Sequence, residues 1–492
     1  MVQFHHLLFF GLIDATSAAP SHSVPATQPK DAVAIDAAPV GASYSSKVII
    51  FEFFMWPSYM TNISLTRPCI DHFNKIYGQK MPIRIGGTTQ DRATYDPTFG
   101  GYVSYKVNDP LEAPMSLTYG PRFFDLIKSF QRFNRGLNNR TNTFAAVMEA
   151  KSRVQEYLWA LELGSEPDLY YEYWRYPVAV APWNETQEAA DAADWAQDFV
   201  NHWKSPLPIL AGGGYAIPLE IAPGWPNLPY LINTYNRTVK AATKVYDGHL
   251  YAFSNATEDD LAVEMTHQRT VDDLNLLPIS SARSVDRPYI LGIVFAVVDA
   301  VLPGETGFHG LDYEMDASFG SAIQAVDKTL RALSLGIQRM FYHQGTINQA
   351  FNWWLSDQVN APFYGAYFGA LAAAGGDHIM ASDDGTDPYA QYIIYRQGRP
   401  FKLVQRLTLR DYIHRRWTEE CNVKAIRMTA PSSETKVPLE QTNASLEPSI
   451  GGQTFSNQNC RLRGARKMET LRVQKGKLRV TLKASEALII FL

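Results

Sequence analysis

Leu158-Trp-Ala-Leu-Glu-Leu-Gly-Ser-Glu-Pro-Asp168 is the stretch on which the fold turns. Its first six residues form a short, nearly apolar run with the length and texture of a buried strand. Glu162 alternates so as to lie within that strand. Gly164 opens a loop, Glu166 stands in it, and Pro167 lacks the N–H that a central ladder needs. A strand that delivers an acid to a loop at its C-terminal end is the repeating unit of parallel α/β enzymes.

Similar units lie on either side. Val48–Phe54, Met81–Gly87, Leu207–Leu210 and Met340–His343 are apolar runs of strand length, the second ending in glycines. Helical patterns fall between them. Trp195, Phe199 and Trp203 recur every fourth residue, and Phe319, Ile323, Val326, Leu330 and Leu333 repeat at helical spacing until Gly336 stops the pattern. These stripes are core faces. Strands alternating with amphipathic helices over about 300 residues predict an α/β fold with the parallel sheet closed into a (β/α)8 TIM barrel, here over residues 47–375.

From residue 376 to 492 the texture changes. Tyr392–Tyr395 and Phe401–Leu409 flank Gln397-Gly398-Arg399, a hairpin signal, and Leu478–Leu482 alternates strictly after Lys475-Gly476-Lys477. This predicts a small antiparallel β-sandwich domain after the barrel. Ahead of the barrel, residues 20–46 are rich in Ala, Pro and Ser and read as a linker, with a possible strand at Ala32–Ile35 joining the β-domain.

The 492 residues are 46% apolar and 19% charged, enough to bury a large core, and the net charge of −4 gives no reason to expect nucleic acid or an anionic membrane as partner. His5–Ile13 is a short apolar stretch followed by the small residues of Ala15–Ala19, so residues 1–19 read as a signal peptide. Asn-x-Ser/Thr sequons at Asn62, Asn139, Asn184, Asn236, Asn255 and Asn443 fit N-glycans added on a secretory route. The expected location is extracellular. Of three cysteines, Cys421 and Cys460 both lie in the C-terminal part and are the pair considered for a disulfide, which leaves Cys69 alone. No metal-ligand spacing occurs, and no cofactor is expected.

Glycoside hydrolysis needs two carboxyl groups across the scissile bond. Glu166 meets the sequence form of that demand. So does Glu305, which ends a hydrophobic segment in Leu302-Pro-Gly-Glu-Thr306 and precedes Gly307-Phe-His-Gly310. Taken with Arg84–Asp91, Arg92–Pro97 and Ser334–Gly345, the Glu166-Pro167 stretch resembles glycoside hydrolase family 79, the β-glucuronidases and related heparanases, most of all its fungal members. The resemblance implies a retaining, β-glucuronidase-like double displacement on a glucuronic-acid-containing glycan or glycoside. It implies Glu166 as acid/base after the fourth barrel strand and Glu305 as nucleophile after the seventh. His249-Leu-Tyr251 resembles the family's His-x-Tyr, whose tyrosine holds the nucleophile. Asp91 and His343 match positions that contact sugar hydroxyls.

Two departures from that pattern stand out. Ser165 occupies the place of an asparagine whose amide would contact the sugar 2-OH, so a weaker catalyst is expected. Joining Pro288–Gly292 directly to Glu305-Thr-Gly307 restores an uninterrupted Pro-Tyr-Ile-Leu-Gly-Glu-Thr run, so residues 293–304 read as an insertion, whether genuine or a gene-model artefact. Both departures favour the alternative, a degenerate, non-catalytic carbohydrate-binding barrel.

Overall fold

The computed structural model describes residues 21–44, 65–85, 91–105, 116–126, 139–171, 179–217, 223–250, 260–292, 313–344, 352–355, 357–385, 389–407, 410–414, 420–483 and 485–492. Seven of its strands form one parallel sheet. In spatial order they are Ile83–Ile85, Val40–Tyr44, Ile337–His343, Tyr289–Leu291, Thr243–Gly248, Leu210–Tyr215 and Leu161–Glu162. The earliest strand in the chain, Val40–Tyr44, pairs with the last, Ile337–His343, and every neighbour is parallel. First beside last is what a closed barrel requires, and an open sheet wound outward from its centre does not give it.

Helices follow the strands as the periodicity predicts. Trp195, Phe199 and Trp203 are buried on Glu185–Trp203, whose first turn is capped by the Asn184 side chain. Phe319, Ile323, Val326, Leu330 and Leu333 are all buried on Phe319–Ser334. That helix is buried almost all round. It packs against the apolar helix Ala361–Ala373 and also reaches strands of the C-terminal domain.

The start of the barrel corrects the sequence reading. Residues 20–46 are not simply a linker: Val40–Tyr44 is a barrel strand. Its Val-Gly-Ala-Ser-Tyr composition is too small and too weakly apolar to show a strand period. It is buried because neighbouring strands flank it on both sides. Val33–Ala34 pairs antiparallel with His378–Ala381 of the β-domain. Val48–Phe54 lies outside the described residues.

The C-terminal strands form an antiparallel sheet. Both expected hairpins are present. Ala390–Arg396 turns into Arg399–Leu407 through Gln397 and Gly398, and Glu469–Gln474 turns into Lys477–Leu482 through Lys475 and Gly476. All four turn residues have positive φ, as a two-residue hairpin turn matched to the strand twist requires.

The disulfide also differs from expectation. Cys69, on the barrel helix Thr66–Tyr77, is bonded to Cys460 of the β-domain, and Cys421 is free. Cys421 begins a long β-domain strand, Cys421–Thr429, whereas Cys460 sits in a turn facing the barrel. Proximity in the chain therefore misled. The bridge joins residues 391 apart, beside a packed group of Phe73, Phe363, Tyr367 and Phe455 rings. His72 completes the contact, its Nε2 lying 2.6 Å from the Cys460 carbonyl.

Candidate active site

Adjacent strand ends bring the candidate residues together. Glu166 follows the Leu161–Glu162 strand, and its backbone N–H donates to the Gly214 carbonyl of the next strand at 3.0 Å. It is 1% exposed and has φ 51°, ψ 57°. That left-handed conformation costs a residue with a Cβ about 1–2 kcal/mol. The turn Pro167–Leu169 fixes it in place. Asp168 accepts from the backbone N–H groups of Ala216 and Ile217, each at 2.9 Å, and from the Trp225 indole at 3.3 Å. Burial still pushes the Asp168 carboxyl up to about 6 against those donors. A buried glutamate held in a costly conformation by its surroundings is a mark of a functional position.

The Glu166 carboxylate meets His249. The ring Nδ1 lies 3.2 Å from Glu166 Oε1, and His249 is fully buried just past the Thr243–Gly248 strand. Asp91, 4% exposed, accepts from the Ser165 N–H at 3.4 Å and from the Tyr170 phenol at 3.1 Å. The side chain matched to sugar contact is thus also engaged with the loop that carries Glu166. Ser165 is buried beside it. His343 ends the Ile337–His343 strand, and burial, aided by the Arg84 charge, lowers its pKa well below the usual histidine value. Its ring is neutral and able to hydrogen-bond in either sense. Glu305, Tyr251 and residues 293–304 lie outside the described residues.

A deeper polar layer was not singled out from sequence. Arg84 donates to Ser43 Oγ at 2.9 Å and pairs with Glu162 at 3.5 Å, both partners essentially without exposure. Glu162, Asp247 and His249 each place a donor atom within 4.8 Å of the others, the one such trio among the described residues. Arg84 supplies positive charge to Glu162 of that trio. Burial pushes the Asp247 carboxyl up to about 7, although Arg84 and the backbone N–H groups of Gly248 and Gly292 pull it the other way. In the sequence these residues are marked only by their place. Arg84 opens one quoted motif, Glu162 sits in another, and Asp247 stands two residues before His249, all near strand ends.

This geometry has known counterparts. Residues 392–489 match the glycosyl hydrolase family 79 C-terminal beta domain. A beta-glucuronidase of Aspergillus niger is 27% identical over 431 residues, covering 77% of this chain and 74% of that protein. One from Neurospora crassa is 26% identical, covering 68% of this chain and 63% of that protein. Among solved structures, a 4-O-alpha-L-rhamnosyl-beta-D-glucuronidase from Fusarium oxysporum 12S, in complex with Rha-GlcA, superposes with a TM-score of 0.81 at 26% identity, over 96% of this chain and 100% of that one. An alpha-L-arabinofuranosidase from Thermotoga maritima shares the fold, with a TM-score of 0.61 at 11% identity, over 95% of this chain and 98% of that one. The chain is a TIM-barrel glycoside hydrolase with an appended antiparallel β-domain. Within that class it is similar to the fungal beta-glucuronidases, and it carries a C-terminal domain of the glycosyl hydrolase family 79 type.

Proposed function

We propose that this protein is a secreted, retaining β-glucuronidase-like hydrolase that works by double displacement, with Glu166 as acid/base and Glu305 as nucleophile. The observation that carries the reading is Glu166 itself. It is buried at a strand end in a left-handed conformation and hydrogen-bonded to His249, on the face where barrel enzymes do their chemistry. The named relatives, and the Fusarium structure with its Rha-GlcA ligand, support a glucuronic-acid-containing glycan or glycoside as substrate.

Glu166 gives its proton to the leaving oxygen while Glu305 attacks the anomeric carbon. The ionised Glu166 then takes a proton from the water that releases the sugar with retained configuration. Neutral His343 suits a contact with sugar hydroxyls. Asp91, through the Ser165 N–H and the Tyr170 phenol, steadies the acid/base loop.

Secretion is supported by the apolar N-terminal stretch and by the Cys69–Cys460 disulfide, which forms and persists in oxidising compartments. Of the sequon asparagines, Asn139, Asn236 and Asn443 are exposed and Asn184 is half-buried, as glycan attachment requires.

The test is release of p-nitrophenol from its β-glucuronide by protein recovered from the medium of a secretory host, with endoglycosidase digestion reporting the glycans. Glu166→Gln is expected to cut turnover by about 10²–10⁴, and Glu305→Gln by at least as much. A folded parent that binds glucuronide without turnover sinks the hydrolase reading. That outcome leaves the degenerate carbohydrate-binding barrel, to which Ser165 in place of asparagine points.

A further inference from the structure

Beneath Glu166 the barrel interior holds two more carboxyl groups that the double displacement does not use. Glu162 and Asp247 are each 1% exposed, and their nearest oxygens, with a ring nitrogen of His249, lie within 4.8 Å of one another. The backbone is shaped around them. A Cβ on Gly214 would stand 2.8 Å from Glu162 Oε1, and one on Gly292 would stand 2.8 Å from Asp247 Oδ1.

Each packed strand contributes to the surroundings of this pair. Arg84 comes from Ile83–Ile85, His343 from Ile337–His343, the Tyr289 phenol from Tyr289–Leu291, and Glu166 faces it through His249. Among these described groups Arg84 is the one permanent cation, since His343 is held neutral. Among the described residues the two buried carboxyl groups thus share one guanidinium, which pairs with Glu162 at 3.5 Å. Like charges this close and this dry do not both ionise readily, so the second proton is retained into the neutral range.

We propose that Asp247 is a positioning residue for catalysis, one that sets through His249 how firmly Glu166 keeps its proton. This rests on Glu166 being the acid/base. As the medium turns alkaline, Asp247 ionises and places negative charge behind the imidazole. That charge delays the loss of the Glu166 proton and carries activity to higher pH. The direction does not depend on how the ring is protonated. In every case an asparagine at position 247 removes one negative charge from the enzyme above neutrality, and a carboxyl group with less negative charge nearby loses its proton earlier.

The experiment is the pH profile of kcat/KM on an aryl β-glucuronide for the parent, Asp247→Asn, Asp247→Glu and Glu162→Gln, each shown to be folded by its thermal melt. Asp247→Asn is expected to move the alkaline limb toward acid by half a pH unit or more, with KM at the optimum unchanged. Asp247→Glu, which keeps the charge, should return the limb toward the parent. Glu162→Gln should move it in the same direction as Asp247→Asn, because the pair then carries one charge fewer above neutrality. It also keeps the test decisive if Asp247→Asn does not fold. A limb that stays in place in either folded variant, even with kcat reduced at every pH, overturns the proposal and leaves Asp247 a structural group. A Glu166→Gln variant of undiminished activity would instead show that the acid/base reading itself had failed.

Discussion

Where the barrel's outer helices meet the β-domain, Asp327 is wholly buried on Phe319–Ser334. It accepts from His267 Nδ1 at 3.0 Å, from the Tyr392 phenol at 2.5 Å and from Arg406. The other His267 nitrogen lies 3.1 Å from Asp383, also buried. Two acids meet two bases. Burial alone would raise Asp327 and lower His267, yet their partners override it, holding Asp327 down at about 2 and pushing His267 up to about 9. Beneath the barrel mouth, at the same depth, Glu162 and Asp247 face only Arg84 among the described permanent cations, and burial wins at Asp247. The same kind of side chain is thus kept ionised where charges balance and kept protonated where they do not. The balanced cluster fastens two domains, while the unbalanced one sits behind Glu166. Matched buried charge keeps carboxylates ionised, and mismatched buried charge makes one of them hold its proton.

Breaking the balanced cluster should cost most. Asp327→Asn leaves Arg406 and His267 buried with too little counter-charge, and urea denaturation is expected to show a loss of about 3–5 kcal/mol. The pH course follows from the two shifts. His267, raised from 6.5 to about 9, adds stability that is complete below about pH 6.5 and is lost as pH rises through about 9. Asp327, lowered from 3.8 to about 2, adds stability that is complete above about pH 4 and is lost as pH falls through about 2. The parent should therefore keep this contribution whole between those limits, and Asp327→Asn should lack it there. A variant as stable as the parent at pH 6 would remove the seam from the comparison.

A smaller loss is expected from another buried cation of the same seam. Lys402 donates from Nζ to the carbonyls of Leu371, Ala372 and Ala374 at 2.8, 3.2 and 2.6 Å, closing the C-terminal end of Ala361–Ala373 from a β-domain strand. It is buried, with no carboxylate partner among the described residues, and burial, with Arg396 adding to it, lowers its pKa to about 8. Lys402→Met strands one buried and two half-buried carbonyls and should cost about 2 kcal/mol, measured by the same denaturation. A gain in stability would mean that the desolvated ammonium costs more than its hydrogen bonds return.

The architecture was legible where a local pattern and tertiary burial agree. The stripes on Glu185–Trp203 and Phe319–Ser334, the two Gly-containing hairpins and the strand ahead of Glu166 are all of that kind. Val40–Tyr44 was not legible, because a strand of small residues becomes a strand only when its neighbours flank it. Cys69–Cys460 was hidden for the same reason, being a contact between units far apart in the chain. At the site, Glu166 stood out through its glycine and proline neighbours. Arg84, Glu162 and Asp247 did not, since single polar residues in apolar runs acquire meaning only when three strands bring them together. The seam cluster gave no sequence signal at all. Its members lie on two helices, two strands and a loop, with no shared spacing.

The last effect tests the comparison most sharply, because its sign is reversed. An acid whose folded pKa lies above its unfolded value binds its proton more tightly when folded, so folding stability falls as pH rises through the interval between the two. For Asp247 that interval runs from 3.8 to about 7. Asp247→Asn carries no such group. It should match the parent near pH 4 and exceed it at pH 7, as expected where a site gives up stability for function. Urea midpoints at the two pH values decide the matter. Equal slopes, or a variant weaker at pH 7, would make Asp247 a satisfied structural acid like Asp327 and dissolve the distinction between the two clusters. A more stable enzyme with a narrowed alkaline limb would show that Asp247 is held against its own preference in order to serve Glu166.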